Sequence, residues 1–105
     1  MASAAITFCT AGNRSVEGGT MAVPRMGGAV SEIVTVTGTS QASTTASPNP
    51  GRTGFVSISA IDGALWATAG ATPVAVVGAD GFAVLAGQTR DFAVEPGDKI
   101  AVIAL

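Results

Sequence analysis

GFVSISAIDGALWATAG, residues 54–70, decides the fold class. Val56, Ile58 and Ala60 alternate with Phe55, Ser57, Ser59 and Ile61, the period of two that sets successive side chains on opposite faces of a strand. Asp62-Gly63 interrupts the alternation and Leu65-Trp66-Ala67 resumes it. Asp-Gly tolerates the positive φ values of a type I′ turn, so the stretch is expected to form a hairpin.

The same grammar continues toward the C-terminus. Gly78-Ala79-Asp80-Gly81 is expected to join a strand at 72–77 (TPVAVV) to one at 82–86 (FAVLA). Ala86-Gly87-Gln88-Thr89 then makes a corner into RDFAV, 90–94. Glu95-Pro96-Gly97-Asp98 has Pro and Gly where a type II turn wants them, and leads into KIAVIA, 99–104. Upstream, EIVTVTG (32–38) alternates as a strand, whereas TSQASTTASPNPGRTG (39–54) has almost no apolar bulk and is expected to be a long exposed Ser/Thr/Pro-rich loop. In residues 1–30, AAITFC (4–9) has strand character, but AGNRSVEGG and PRMGG break up the remainder, which predicts an extended N-terminal arm.

Val and Ile outnumber Leu, and the 14 glycines and 5 prolines leave no window in which a helix could nucleate. The chain therefore reads as all-β: a small antiparallel β-sandwich or jelly-roll-like domain of seven or eight strands over residues 31–105, preceded by the arm at 1–30. At 105 residues there is material for one core and not two.

Composition narrows function further. Only 11% of residues are charged against 48% apolar, an unusual surface for a free monomer, which points to surface covered by other subunits. The basic residues Arg14, Arg25, Arg52, Arg90 and Lys99 are scattered, and the net charge is −2, so no nucleic-acid footprint exists. No stretch approaches the roughly 20 apolar residues of a membrane helix, and MASAAITFCTAG lacks the basic start of a signal peptide. Histidine and tyrosine are absent, which removes the usual neutral-pH acid–base groups. Asp62, Asp80 and Asp98 sit where turns want them, and GNRSVEGG (12–19) lacks the Gly-Lys-Ser/Thr of a phosphate loop. The lone Cys9 reads as a small buried hydrophobe, and no cofactor or metal is expected. Trp66, the one tryptophan, reads as either a core anchor or a partner contact, the core being the favoured place for one large ring among so many alanines.

The remaining candidates for function are apolar residues of the arm. Ile6, Phe8, Met21, Val23 and Met26 stand among glycines that prevent a self-contained core, and they are the expected subunit or capsid interface. Deleting residues 1–28 is then expected to leave a folded body that no longer assembles.

GALWATAGATPVAVVG followed by FAVLAGQTRDFAVEPGDKIAVIAL resembles small β-sandwich proteins of tailed bacteriophages, above all the capsid decoration, or cement, type. The resemblance covers roughly residues 54–105 and carries no catalytic motif. It implies a virion protein that binds the major capsid protein on the outer surface of the head and stabilises it, as a homo-oligomer and most simply a trimer. The alternatives are a neck, tail-ring or head-fibre base component, and a ligand- or carbohydrate-binding jelly-roll module.

Overall fold

A computed structural model describes residues 2–16, 19–24, 29–47 and 54–105, with side chains for 2–9, 29–47 and 54–105. Nine strands are present and no helix among the described residues: β1 (Ala2–Val16), β2 (Gly19–Pro24), β3 (Val30–Val36), β4 (Gln41–Ala42), β5 (Gly54–Ile61), β6 (Leu65–Gly70), β7 (Phe82–Val84), β8 (Thr89–Val94) and β9 (Lys99–Ala104). They form two antiparallel sheets. The front sheet runs β3-β1-β5-β8, with β2 also paired to β1; the back sheet runs β4-β9-β6-β7.

Alternation builds the core between them. Ala4, Ile6 and Phe8 of β1, Val34 and Val36 of β3, Val56, Ile58 and Ala60 of β5, and Val94 of β8 point inward from the front sheet. Leu65 and Ala67 of β6, Val84 of β7, and Ile100 and Val102 of β9 meet them from the back. Ile6, Phe8, Val56, Leu65, Val84 and Val102 are fully enclosed. The all-β sandwich expected from the sequence is thus the fold.

Its strand order is that of a jelly roll with one strand displaced. If β1 followed β9 instead of preceding β3, the chain would read β3 to β9 and then β1. The two sheets would then hold strands in the order first-eighth-third-sixth and second-seventh-fourth-fifth, the double Greek key of an eight-stranded jelly roll. The two ends lie together: Ala2 pairs with Val36, the Ala104 N–H donates to Thr37 O at 2.8 Å, and the Leu105 N–H donates to Ala64 O at 3.2 Å.

Four expectations need correction. First, residues 54–70 do not form a hairpin. β5 pairs with β1 and β8, β6 pairs with β7 and β9, and the connection carries the chain from the front sheet to the back. Asp62, at φ 61°, adopts the left-handed conformation the turn needs, and a Cβ on Gly63 would come within 2.9 Å of the Ala2 Cβ. The 85–88 and 95–98 turns also join opposite sheets; the latter keeps its expected form, with Gly97 at φ 86° and the Asp98 N–H on Glu95 O at 3.1 Å.

Second, TPVAVV is not a strand. It joins no ladder; Pro73 has no N–H to give, and the Ala75 N–H is taken by Ser40 Oγ at 2.8 Å. Third, the 39–54 stretch is not wholly an exposed loop. Gln41–Ala42 pair with β9, and Ser43 and Ser47 are buried, with Ser43 exchanging hydrogen bonds with Ile100 and Ser47 with Gly97 and Asp98. The Ser43 hydroxyl and the Ser47 backbone there make the contacts that apolar side chains would otherwise supply. Fourth, residues 2–9 are not part of an arm. They pair with β3 on one side and β5 on the other, so the sandwich begins at Ala2 and not at 31.

Candidate interaction surface

The five interface residues expected from the sequence separate into three groups. Ile6 and Phe8 are 0% exposed beneath the centre of the front sheet, so neither can touch a partner. Met21 and Val23 belong to β2, with side chains outside the described residues, and Met26 lies outside them altogether. What survives of the arm is a ribbon. Beyond the sandwich, Ala11–Val16 of β1 pair only with Gly19–Pro24 of β2, while β5 stops pairing at Thr10. At about 3.4 Å per residue, the six-residue ribbon reaches roughly 20 Å past the sheet. A two-stranded ribbon has no third strand to cover either face, and such a unit is marginal alone in water.

A surface that the sequence did not single out lies on the β6–β7 connection and β7. Of nine exposed large hydrophobics among the described residues, five fall between 74 and 85: Val74, Val76, Val77, Phe82 and Leu85. They stand on the β6–β7 connection and on β7, the edge strand of the back sheet, or just beyond it. The segment is held in this exposed shape by its backbone. Gly78 sits at φ 86°, the Ala79 N–H closes a turn on Val76 O, and Gly81 sits at φ 137° against the Ala67 carbonyl, where a Cβ would lie 2.2 Å from the oxygen. A side chain at 81 has no room. The alternation of 72–77 is the signal that points to this surface, once the segment is taken as an uncovered edge and not a core strand.

Trp66 is not the core anchor expected. It points away from the inter-sheet space, half-buried under the 78–81 turn, with its indole N–H aimed at Asp80 O at 3.4 Å. Leu65 and Ala67, its neighbours, are the ones that face inward.

The outer face of the front sheet carries a row of paired polar side chains. Ser31, Thr7, Ser57 and Asp91 lie side by side across four strands; Thr7 and Ser31 hydroxyls bond at 2.9 Å and Ser57 donates to Asp91. Ser59 and Thr89 bond at 2.7 Å in the next rung. Glu32 is a clamp: its carboxylate accepts the Thr44 N–H at 3.1 Å, the Thr45 N–H at 2.9 Å and the Thr44 hydroxyl at 3.2 Å. Partial burial opposes its ionisation, but these hydrogen bonds win and hold the carboxyl below its ordinary value. Among the described residues no His, Cys, Asp or Glu cluster is arranged to hold a metal ion.

Compared with known proteins, the chain matches no family model, no curated protein and no solved structure.

Proposed function

We propose that the chain is a structural, non-catalytic virion protein that binds the outer surface of a phage head through contacts with the major capsid protein, acting as a homo-oligomer, most simply a trimer. The observation that carries this reading is the apolar edge at 74–85, five large side chains presented to solvent by a body that otherwise spends its residues on folding. Several large apolar side chains left exposed within one short segment are a feature of interaction sites. The resemblance of residues 54–105 to decoration proteins supports the location, and jelly rolls recur among viral capsid components, an argument by analogy. The ribbon at 11–24 supplies the second attachment element. Its strand β1 is shared with the core, so any contact it makes is anchored in the centre of the sandwich.

The test is re-addition of purified protein to undecorated particles. The Val76→Ser/Leu85→Ser pair, exposed positions both, is expected to keep the fold and lose binding. Binding equal to that of the unmodified chain overturns the reading. Copy number in purified virions then separates the shell from the neck: hundreds of copies place the protein on the head, about six to twelve place it in a ring, as ring symmetry demands.

A further inference from the structure

The sandwich is open along one side, where β8 ends the front sheet and β7 ends the back sheet. A cleft of about 220 Å³ enters there, lined by Val56, Ile58, Ala67, Phe82, Phe92 and Ile100 among others. Its walls are apolar nearly throughout, and its floor is the core itself. An apolar cavity of about 150 Å³ is large enough for benzene, so this one admits a ring or a short alkyl chain.

The mouth is not apolar. Phe82 from β7 and Phe92 from β8 stack across the opening with centroids 5.2 Å apart and planes at 27°. The Arg90 guanidinium carbon lies 5.5 Å from the Phe82 centroid and 5.4 Å from the Phe92 centroid. Arg90 and Phe92 share the inward face of β8, while Asp91 between them turns to the other face and bonds Ser57. One Arg90 N–H goes to Ala83 O at 3.0 Å, and among the described residues no carboxylate takes any of the others. A guanidinium carries five donors in a fork that matches a carboxylate.

We infer that this cleft binds a small amphiphilic carboxylate, with its hydrocarbon part between the sheets and its carboxylate at Arg90. Arg90 does not line the slot but stands over the two rings at its rim, and a concave apolar slot with one cation at its rim is the pattern of a small-molecule site in which the sign of the cation selects the head group. The two phenylalanines close over the alkyl portion, which would cover Phe82, now 55% exposed. The cleft shares Phe82 with the proposed shell contact but none of Val74, Val76, Val77 and Leu85, so loss of octanoate binding through Arg90→Met and loss of shell binding through Val76→Ser/Leu85→Ser are separable outcomes.

Octanoate, octanol and octylammonium titrated into the full chain, followed by calorimetry, test it. Octanoate is expected to bind one-to-one and more tightly than octanol, with octylammonium weakest. Arg90→Met is expected to weaken octanoate about tenfold or more, the scale of a lost charge-assisted contact, and to leave octanol within about twofold. Ala69→Phe, which fills the entrance from a site lining it, is expected to abolish both. Methyl resonances of Val56, Ile58 and Ile100 shifting with octanoate give a readout that needs no variant. Absence of octanoate binding, equal affinity for the two charged probes, or octanoate affinity unaffected by Arg90→Met overturns the proposal. So does protection of the mouth by a second copy of the chain that octanoate cannot displace.

Discussion

Truncating Phe8 separates a core strand from an arm more sharply than any other single change. In the structure Phe8 is fully enclosed, pairs with Val56 and Val30 on its two sides, and belongs to the one cluster that joins the sheets. Replacing such a residue by alanine costs the transfer of the ring plus the cavity it leaves, about 3–5 kcal/mol. A domain of this size has a total stability of about 5–15 kcal/mol, so the loss is a large share of the whole. At about 4 °C or more per kcal/mol, the melting temperature of Phe8→Ala should fall by at least ~12 °C. The counterpart is removal of the ribbon. Replacing residues 10–28 by Asn-Gly turns Cys9 directly into Ala29 through a two-residue loop and deletes none of the core cluster. That variant should unfold within about 1 kcal/mol of the parent, the range for changes that leave cavities and buried polar groups untouched. Urea denaturation of the three proteins, with the slope checked for two-state behaviour, gives both numbers. A Phe8→Ala loss under about 1 kcal/mol, beside a ribbon deletion that fails to fold, would refute the assignment of β1 to the core. By the same reasoning, deletion of residues 1–28 should abolish folding, since it removes the strand between β3 and β5.

Gly81→Ala should destabilise by roughly 2 kcal/mol or more, because the new methyl meets a carbonyl at 2.2 Å in a left-handed backbone; a melt within about 2 °C of the parent would contradict this. For Glu32, the folded carboxyl titrates below its ordinary value of 4.5, so its contribution is present above that value and is lost as pH falls through the lower folded value. The stability gap between the parent and Glu32→Gln should therefore be constant near neutrality and shrink below about pH 4.5; a gap that widens on acidification reverses the assignment. Because Ala2 and Leu105 flank the same turn at 63–64, a permutant that starts at Val30 and joins 105 to 2 through a short Gly-Ser linker should fold, with near-identical far-ultraviolet circular dichroism.

Much of the sandwich is legible in the alternation of single strands. Residues 32–36 and 54–61 announce by alternation which side chains share a face, and the structure buries Val34 and Val36 and then Val56, Ile58 and Ala60, whereas in 99–104 Ile100, Ala101 and Val102 are buried in succession. Pairing is not legible in the same way. An Asp-Gly or Pro-Gly turn reports that the chain reverses, but the reversal at 62–64 serves a jump between sheets as well as a hairpin within one. Partner choice is made by strands distant in sequence: β5 lies between β1 and β8, so its neighbours are contributed by both halves of the chain. Residues 4–9 are hidden for a related reason. Their inward set of Ala4, Ile6 and Phe8 alternates cleanly, but the glycines at 12, 18 and 19 make the neighbourhood look broken, and only the pairing partners reveal a central strand. The candidate interaction surface is obscured by the opposite effect. Val74, Val76 and Val77 carry strand-like chemistry at a place where Pro73 and the Ser40 hydroxyl replace ladder hydrogen bonds.

The displaced strand gives the ribbon its mechanical setting. In a jelly roll whose eighth strand ended the chain, a hairpin appended there would hang from a terminus. Here the equivalent strand precedes the other seven, and its far half continues without interruption into the ribbon, so that one 15-residue strand runs from the core to the tip. Seven residues of it, Ala2 to Phe8, are laddered to β3, and eight, Ser3 to Thr10, to β5. A pull on the ribbon along the strand direction loads both ladders in shear, where many hydrogen bonds must fail together, and also drags Ile6 and Phe8 out of the core. A pull on the 74–85 edge meets much less: β7 is three residues long and paired on one side only. If the proposed shell contact holds, the two surfaces suit different work, the ribbon bearing load and the 74–85 segment excluding water on contact.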